Sequence, residues 1–280
     1  LLRYNMSFLD NIKNELQKHN KLTVLLVINI SIFFIINISV SVFSTDIIVR
    51  NLALPLNLNE FVFKFWTLFT YMFSHKDFGH IFYNMLLLYF TARTFLNFMS
   101  EKKLMFVYMM SGLFGGLILL VLSILFPNTF TNSILFGASA AVLGVVAALA
   151  LYIPNLPVSI FGILEMKYKY YALLIFAVST IIDFNINTGG KISHFGGAFF
   201  GLLFGYLLKN GKDISEMAFF TGSKKSPLKV VHKNTSAASH EPSANSQQTI
   251  DALLDKISKN GYENLSKAEK ELLFKLSQKK

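Results

Sequence analysis

The 280-residue sequence predicts an all-α, polytopic membrane protein: a six-transmembrane-helix bundle followed by a small C-terminal helical pair. Three observations predict it. Hydrophobic residues make up 53% of the chain, charged residues only 15%, and the mean hydropathy is +0.48. Long stretches carry no charge at all. The basic residues that give the net charge of +10 gather on alternate sides of those stretches. Such a composition excludes a disordered chain and argues against an ordinary soluble domain. With no cysteine, disulfides, thiolate zinc sites and cysteine nucleophiles are excluded as well.

Residues 22–45 contain no charged side chain. At about 1.5 Å per residue they suffice to cross a hydrocarbon layer of roughly 30 Å. This apolar run is too long for a cleavable signal peptide, and no small-residue cleavage site follows it. The second span is predicted over residues 78–98, where Arg93 is the single charge. Residues 104–164 are free of charge, too long a run for one span; Pro127 and the polar residues 128–133 divide it into spans at 104–126 and 134–153. Shorter apolar runs at 170–182 and 192–208 supply the fifth and sixth.

Lys and Arg are abundant in the N-terminal segment, in the loops after spans two and four, and in the tail, whereas the other side holds only Arg50, Lys64, Lys76 and Lys191. The positive-inside rule therefore puts both termini in the cytoplasm. The basic balance is a topology signal, with some attraction to anionic headgroups of the lipid bilayer, and is not a nucleic-acid signal. The domains read as a cytoplasmic N-terminal segment (1–21), a membrane domain (22–208), a flexible cytoplasmic linker (209–248) and a short helical hairpin (249–280). Residues 46–77, rich in Phe, Tyr and Trp66, are expected to lie outside, in the membrane interface. In the tail, Asn260-Gly261 ends one helix, and Ser266 with Glu269 forms a capping-box pattern opening the next. A pair of this size needs a partner, a membrane surface or self-association to be stable.

Polar residues inside membrane helices are costly, so each invites a functional hypothesis. His80 and Asn84, spaced i, i+4, share one face at the outer end of span two. Gly137-Ala138-Ser139 opens span four, where the free N–H groups of a helix start suit an oxyanion. His194 lies at the outer start of span six, ahead of Gly197, Gly201 and Gly205, a stripe that allows close helix approach. Span four has a matching series, Ala140, Gly144 and Ala148. Packing the two stripes together brings Ser139 and His194 to the same outer depth. Each group alone has a bland reading, as helix glue, an N-cap or a small packing residue.

Taken in order, His80-x-x-x-Asn84, Gly137-x-Ser139 and Gly189-x-x-x-Ser193-His194-x-Gly196-Gly197-x-x-x-Gly201 resemble the signature of rhomboid intramembrane serine proteases, over roughly residues 22–208. The resemblance implies a six-helix core and a Ser–His dyad that cleaves single-span membrane proteins in or beside their membrane segment, with no metal and no cofactor. It implies Ser139 as nucleophile and His194 as general base. It further implies an oxyanion hole from His80, Asn84 and the Ser139 backbone N–H, with Gly137, Gly197 and Gly201 supporting. His75 is read as structural and Asp183 as a solvated loop charge. Four positions depart from the pattern: Ala140 for Gly, Leu143 for a Tyr that packs on the histidine, Ser193 for Ala, and Thr67 for the Arg after Trp66. The helix pair resembles the tail of some bacterial relatives, the Asn-, Lys- and Ile-rich composition suggests an AT-rich bacterium, and the expected location is the bacterial cytoplasmic membrane. Three other readings stand beside this one. A catalytically inactive relative that binds membrane clients would share the stripes. A transporter would need the duplicated halves that the sequence lacks. A zinc site of His75, His80 and His194 would lack H-E-x-x-H spacing.

Overall fold

The computed structural model describes residues 20–130, 133–160, 162–180, 188–216, 244–260 and 264–277. The expectations for residues 1–19, for Asp183, for Gly261 and for most of the 209–248 linker fall outside them. The chain divides into two compact units, Leu1–Lys224 and Lys225–Lys280.

The described residues of the first unit include the helices α1 (Asn20–Phe43), α2 (Phe78–Leu96), α3 (Glu101–Leu125), α4 (Ser139–Tyr152), α5 (Tyr168–Thr180) and α6 (Thr188–Lys209). Among the described residues, α1, α3 and α6 are long and apolar enough to cross a membrane. Apolar side chains point outward as well as inward. Phe34 and Ile35 of α1, Phe82 and Phe90 of α2, and Phe195 and Phe199 of α6 are all exposed. Water would penalise such a surface, whereas lipid does not.

α4 differs from its predicted span. It starts at Ser139 and has 14 residues, about 21 Å of helix. Ile134 and Leu135, predicted to be helical, instead form strand β2, which pairs antiparallel with β1 (Leu54–Pro55) in the outer segment. Every residue from Ala140 to Leu149 is buried. A helix that is apolar all round is stable when protein surrounds it, and its length is then set by its neighbours rather than by lipid.

The fold is not wholly helical. Besides the β1–β2 ribbon, β3 (Pro157–Ile160) and β4 (Leu164–Lys167) form an antiparallel hairpin between α4 and α5, in register Val158↔Met166. The outer segment is built from short helices, at Ile47–Leu52, Leu58–Phe63 and Thr67–Thr70. Buried hydrogen bonds fasten it to the bundle. Tyr71 donates to the Gly112 carbonyl at 2.6 Å. Tyr108 donates to the Met72 carbonyl at 3.2 Å and accepts from Asn29 of α1 at 3.3 Å. Trp66 Nε1 donates to the Asn51 carbonyl at 2.9 Å, and Thr67, where the family pattern has Arg, donates to Lys64 O at 2.5 Å. The first residues of the predicted linker are also structured. Asp213 pairs with Lys103 at 2.9 Å, and Ser215 is buried.

In the second unit, α7 (Ala244–Asn260) starts earlier than the hairpin read from sequence, so residues 244–248 are helix rather than linker. α8 (Lys267–Ser277) opens on the capping box. Ser266 N–H donates to Glu269 Oε2 at 2.8 Å, and Glu269 N–H donates to Ser266 Oγ at 3.3 Å. Glu269 also pairs with Lys256 of α7 at 2.6 Å.

Candidate active site

The site begins with close packing. The Gly and Ala stripes of α6 and α4 meet backbone to backbone. A Cβ added at Gly197 would overlap the Ala140 carbonyl, one at Gly201 the Gly144 carbonyl, and one at Gly205 would come within 2.5 Å of the Ala148 carbonyl. Any side chain at these positions would push the helices apart. α3 joins the same cluster. A Cβ on Gly196 would lie 2.8 Å from Gly115 Cα, and one on Gly115 would lie 2.9 Å from the Ala140 methyl group. Thus Ala140, which stands where the family pattern has Gly, fits because Gly115 faces it.

This packing sets His194 against Ser139, with Nε2 2.7 Å from Oγ. Ser139 is half-buried, and the imidazole is 8% exposed. The other ring nitrogen, Nδ1, lies 3.2 Å from Thr180 Oγ1 at the end of α5. Sequence reasoning passed over Thr180. Its one available signal was a polar residue near the end of a marginal apolar run. Leu143, at the position of the expected ring-packing Tyr, is buried and lines the same cavity.

The loop before Ser139 is held from the outer segment. Gly137 has φ +120°, a conformation that side chains disfavour, and its N–H donates to the Tyr71 carbonyl at 2.9 Å. The bare face of Gly137 receives His80, since an added Cβ would lie 2.6 Å from His80 Cε1. Ala138 N–H donates to His75 Nε2 at 3.2 Å. His75 is fully buried, and its rings and those of His80 sit edge to face, with centroids 5.1 Å apart. Burial, with the neighbouring His80, pulls the His75 pKa down to about 3. A neutral ring is what Ala138 requires, because only an unprotonated Nε2 can accept its N–H.

Asn84 Nδ2 donates to the His80 carbonyl at 2.9 Å, as expected for the i, i+4 spacing, and this fixes the amide along α2. His80, Asn84, Ser139 and His194 all line one cavity of about 980 Å³, together with Leu87 and Tyr83 of α2 and Ile175, Val178 and Ser179 of α5. Among the described residues, Asp77 and Lys191 are the charged ones in its lining. Ser193 is buried against Gly115. Among the described residues, no three His, Asp or Glu side chains converge on a common point that could hold a metal ion. His75 and His194 direct their Nε2 atoms to Ala138 and Ser139 respectively.

The arrangement has the parts of a nucleophile–base pair: a hydroxyl within hydrogen-bond reach of an imidazole, a third group on the far ring nitrogen, and a largely apolar cavity with a few polar groups at the start of a helix. The family model for the Rhomboid domain matches residues 62–211, from the outer segment to just beyond α6. A second model, for a family of unknown function (DUF6576), matches residues 241–279, which contain α7 and α8. No curated protein matches the chain. The Rhomboid match covers more than half of the sequence and runs through all three signature motifs, so the chain belongs to the rhomboid family, whose members are generally intramembrane serine proteases.

Proposed function

We propose that the protein is an intramembrane serine endopeptidase that cleaves single-span membrane proteins in or beside their membrane segment. The observation that carries this reading is the 2.7 Å contact between His194 Nε2 and Ser139 Oγ within a cavity also lined by His80 and Asn84. In the first step Ser139 Oγ attacks the scissile carbonyl carbon while its proton passes to His194 Nε2. The carbonyl oxygen becomes an oxyanion. The Ser139 backbone N–H and the side chains of His80 and Asn84 supply its donors. His194 then gives the proton to the departing amine, leaving an acyl ester on Ser139. Water attacks the ester with His194 again acting as base, and the new carboxylate leaves.

Six crossings with both termini cytoplasmic place this cavity near the outer face of a bacterial cytoplasmic membrane, where water can enter for the second half of the reaction. The short α4, buried from Ala140 to Leu149, supports a site enclosed by protein within the bundle. Residues 249–280 are proposed as the partner- or self-association element on the cytoplasmic side.

The test is cleavage of a fluorescent single-span substrate by the protein in liposomes. Ser139→Ala and His194→Ala are each expected to lower the rate by about three orders of magnitude or more, with EDTA leaving it unchanged. Cleavage that persists in Ser139→Ala, or that stops with the chelator, overturns the reading.

A further inference from the structure

We infer that Thr180 is a positioning residue for the His194 imidazole, completing a Ser139–His194–Thr180 hydrogen-bonded chain across α4, α6 and α5. The inference rests on the protease reading, because a ring tautomer matters only if Nε2 must take a proton.

The chemistry follows from the two contacts. To accept the Ser139 proton, His194 Nε2 must be bare, so the single proton of the neutral ring sits on Nδ1. That N–H is buried, the residue being 8% exposed, and a buried donor needs an acceptor. Thr180 Oγ1, on a residue 2% exposed, lies 3.2 Å away and serves as one. Without it both tautomers become comparably available, and the Nε2–H form cannot act as base. The hydroxyl carries no charge. It therefore fixes the tautomer and the ring plane, and it steadies the imidazolium less than a carboxylate would.

Leu143 stands where the family pattern places a tyrosine on the histidine, and an aliphatic side chain fills space without orienting a ring. The glycine seam positions the α6 backbone, yet χ1 and χ2 of His194 remain free to rotate unless something holds the ring. Thr180 holds it from α5. This helix also supplies Ile175, Val178 and Ser179 to the cavity wall, so the orienting group and the wall move as one element.

The experiment pairs kinetics with a spectroscopic readout on the full-length protein in liposomes or micelles. Thr180→Val removes the hydroxyl at nearly constant shape, and Thr180→Ser keeps it. The expected result is a kcat about tenfold lower in Thr180→Val, with KM within about twofold, and recovery to within about threefold in Thr180→Ser. In parallel, 15N-histidine labelling reports the His194 tautomer, assigned by the signals lost in His194→Gln. Wild type and Thr180→Ser should hold the Nδ1–H form, and Thr180→Val should show a mixture. Equal loss of kcat in Val and Ser variants, or an unchanged tautomer in Thr180→Val, overturns the inference. If Thr180→Val fails to fold, a wild-type spectrum dominated by the Nε2–H form overturns it alone. If the wild type cleaves nothing, the protease reading fails while the tautomer measurement still decides whether Thr180 holds the ring.

Discussion

Two regions hold Ser139 in place by opposite means. On its membrane side, α4 meets α6 through Gly197, Gly201 and Gly205, a contact of backbone on backbone. On its outer side, the Gly137–Ala138 loop hangs from hydrogen bonds to Tyr71 and to the buried ring of His75. The seam depends on volume and is indifferent to pH. The loop attachment depends on a protonation state. Packing thus sets where the two helices lie, and polar contacts set how the peptide before Ser139 is turned.

The largest effect should come from filling the seam. Gly201→Val places carbon atoms inside the Gly144 carbonyl, and neither backbone can yield without moving a helix. We expect a loss of about 3 kcal/mol of stability together with loss of cleavage, read as unfolding in mixed micelles and as activity in liposomes. Gly79→Ala is the matched control for folding, since nothing lies within 4 Å of its added Cβ. Equal stability of Gly201→Val and Gly79→Ala would show that the helices do not pack as described.

The middle effect concerns the loop attachment and is a pH dependence. His75 titrates near 3 when folded, against an ordinary value of 6.5. Between those values the unfolded chain binds the extra proton, so stability is full above pH 6.5 and falls as pH drops toward 3. At pH 5 the cost is on the order of 2 kcal/mol. The informative quantity is the difference between wild type and His75→Gln, which keeps an acceptor for Ala138 but takes no proton. The variant should lose less stability between pH 7.5 and pH 5 than wild type does. A parallel decline in both would assign the acid sensitivity to other groups.

The seam could be read from sequence because membrane helices advertise close approach through small residues at fixed spacing. The match of 197, 201 and 205 with 140, 144 and 148 needed only the 3.6-residue period. The same period, with loop counting, put His80, Asn84, Ser139 and His194 at one depth. Other features had no such signature. Thr180 is one hydroxyl at the end of an apolar run, and its partner is distant in sequence. The bond from Ala138 to His75 involves a backbone group, which any residue has. The β1–β2 and β3–β4 ribbons are two- to four-residue strands, too short for an alternating pattern. The length of α4 was overestimated because apolar residues buried in protein look like apolar residues facing lipid.

The smallest effect lies in the second unit, whose described polar contacts lie at the surface. The Ser266–Glu269 capping box and the Glu269–Lys256 pair are surface interactions. Ser266→Ala should cost α8 about 1 kcal/mol, seen as faster amide exchange across Lys267–Ser277 with cleavage unchanged. The hydrogen bond from Lys256, with those from Ser266, holds the Glu269 carboxyl down to about 2. A carboxylate with a lowered folded pKa contributes above its ordinary value and loses that contribution as pH falls through the lowered one. The protection of α8 that depends on Glu269 should therefore be present at pH 5, where the His75 contact has already weakened. Acid that slows cleavage at pH 5 while leaving α8 exchange unchanged would separate the Gly137–Ala138 loop from α7 and α8. Simultaneous loss of both would mean that one titration governs the whole chain.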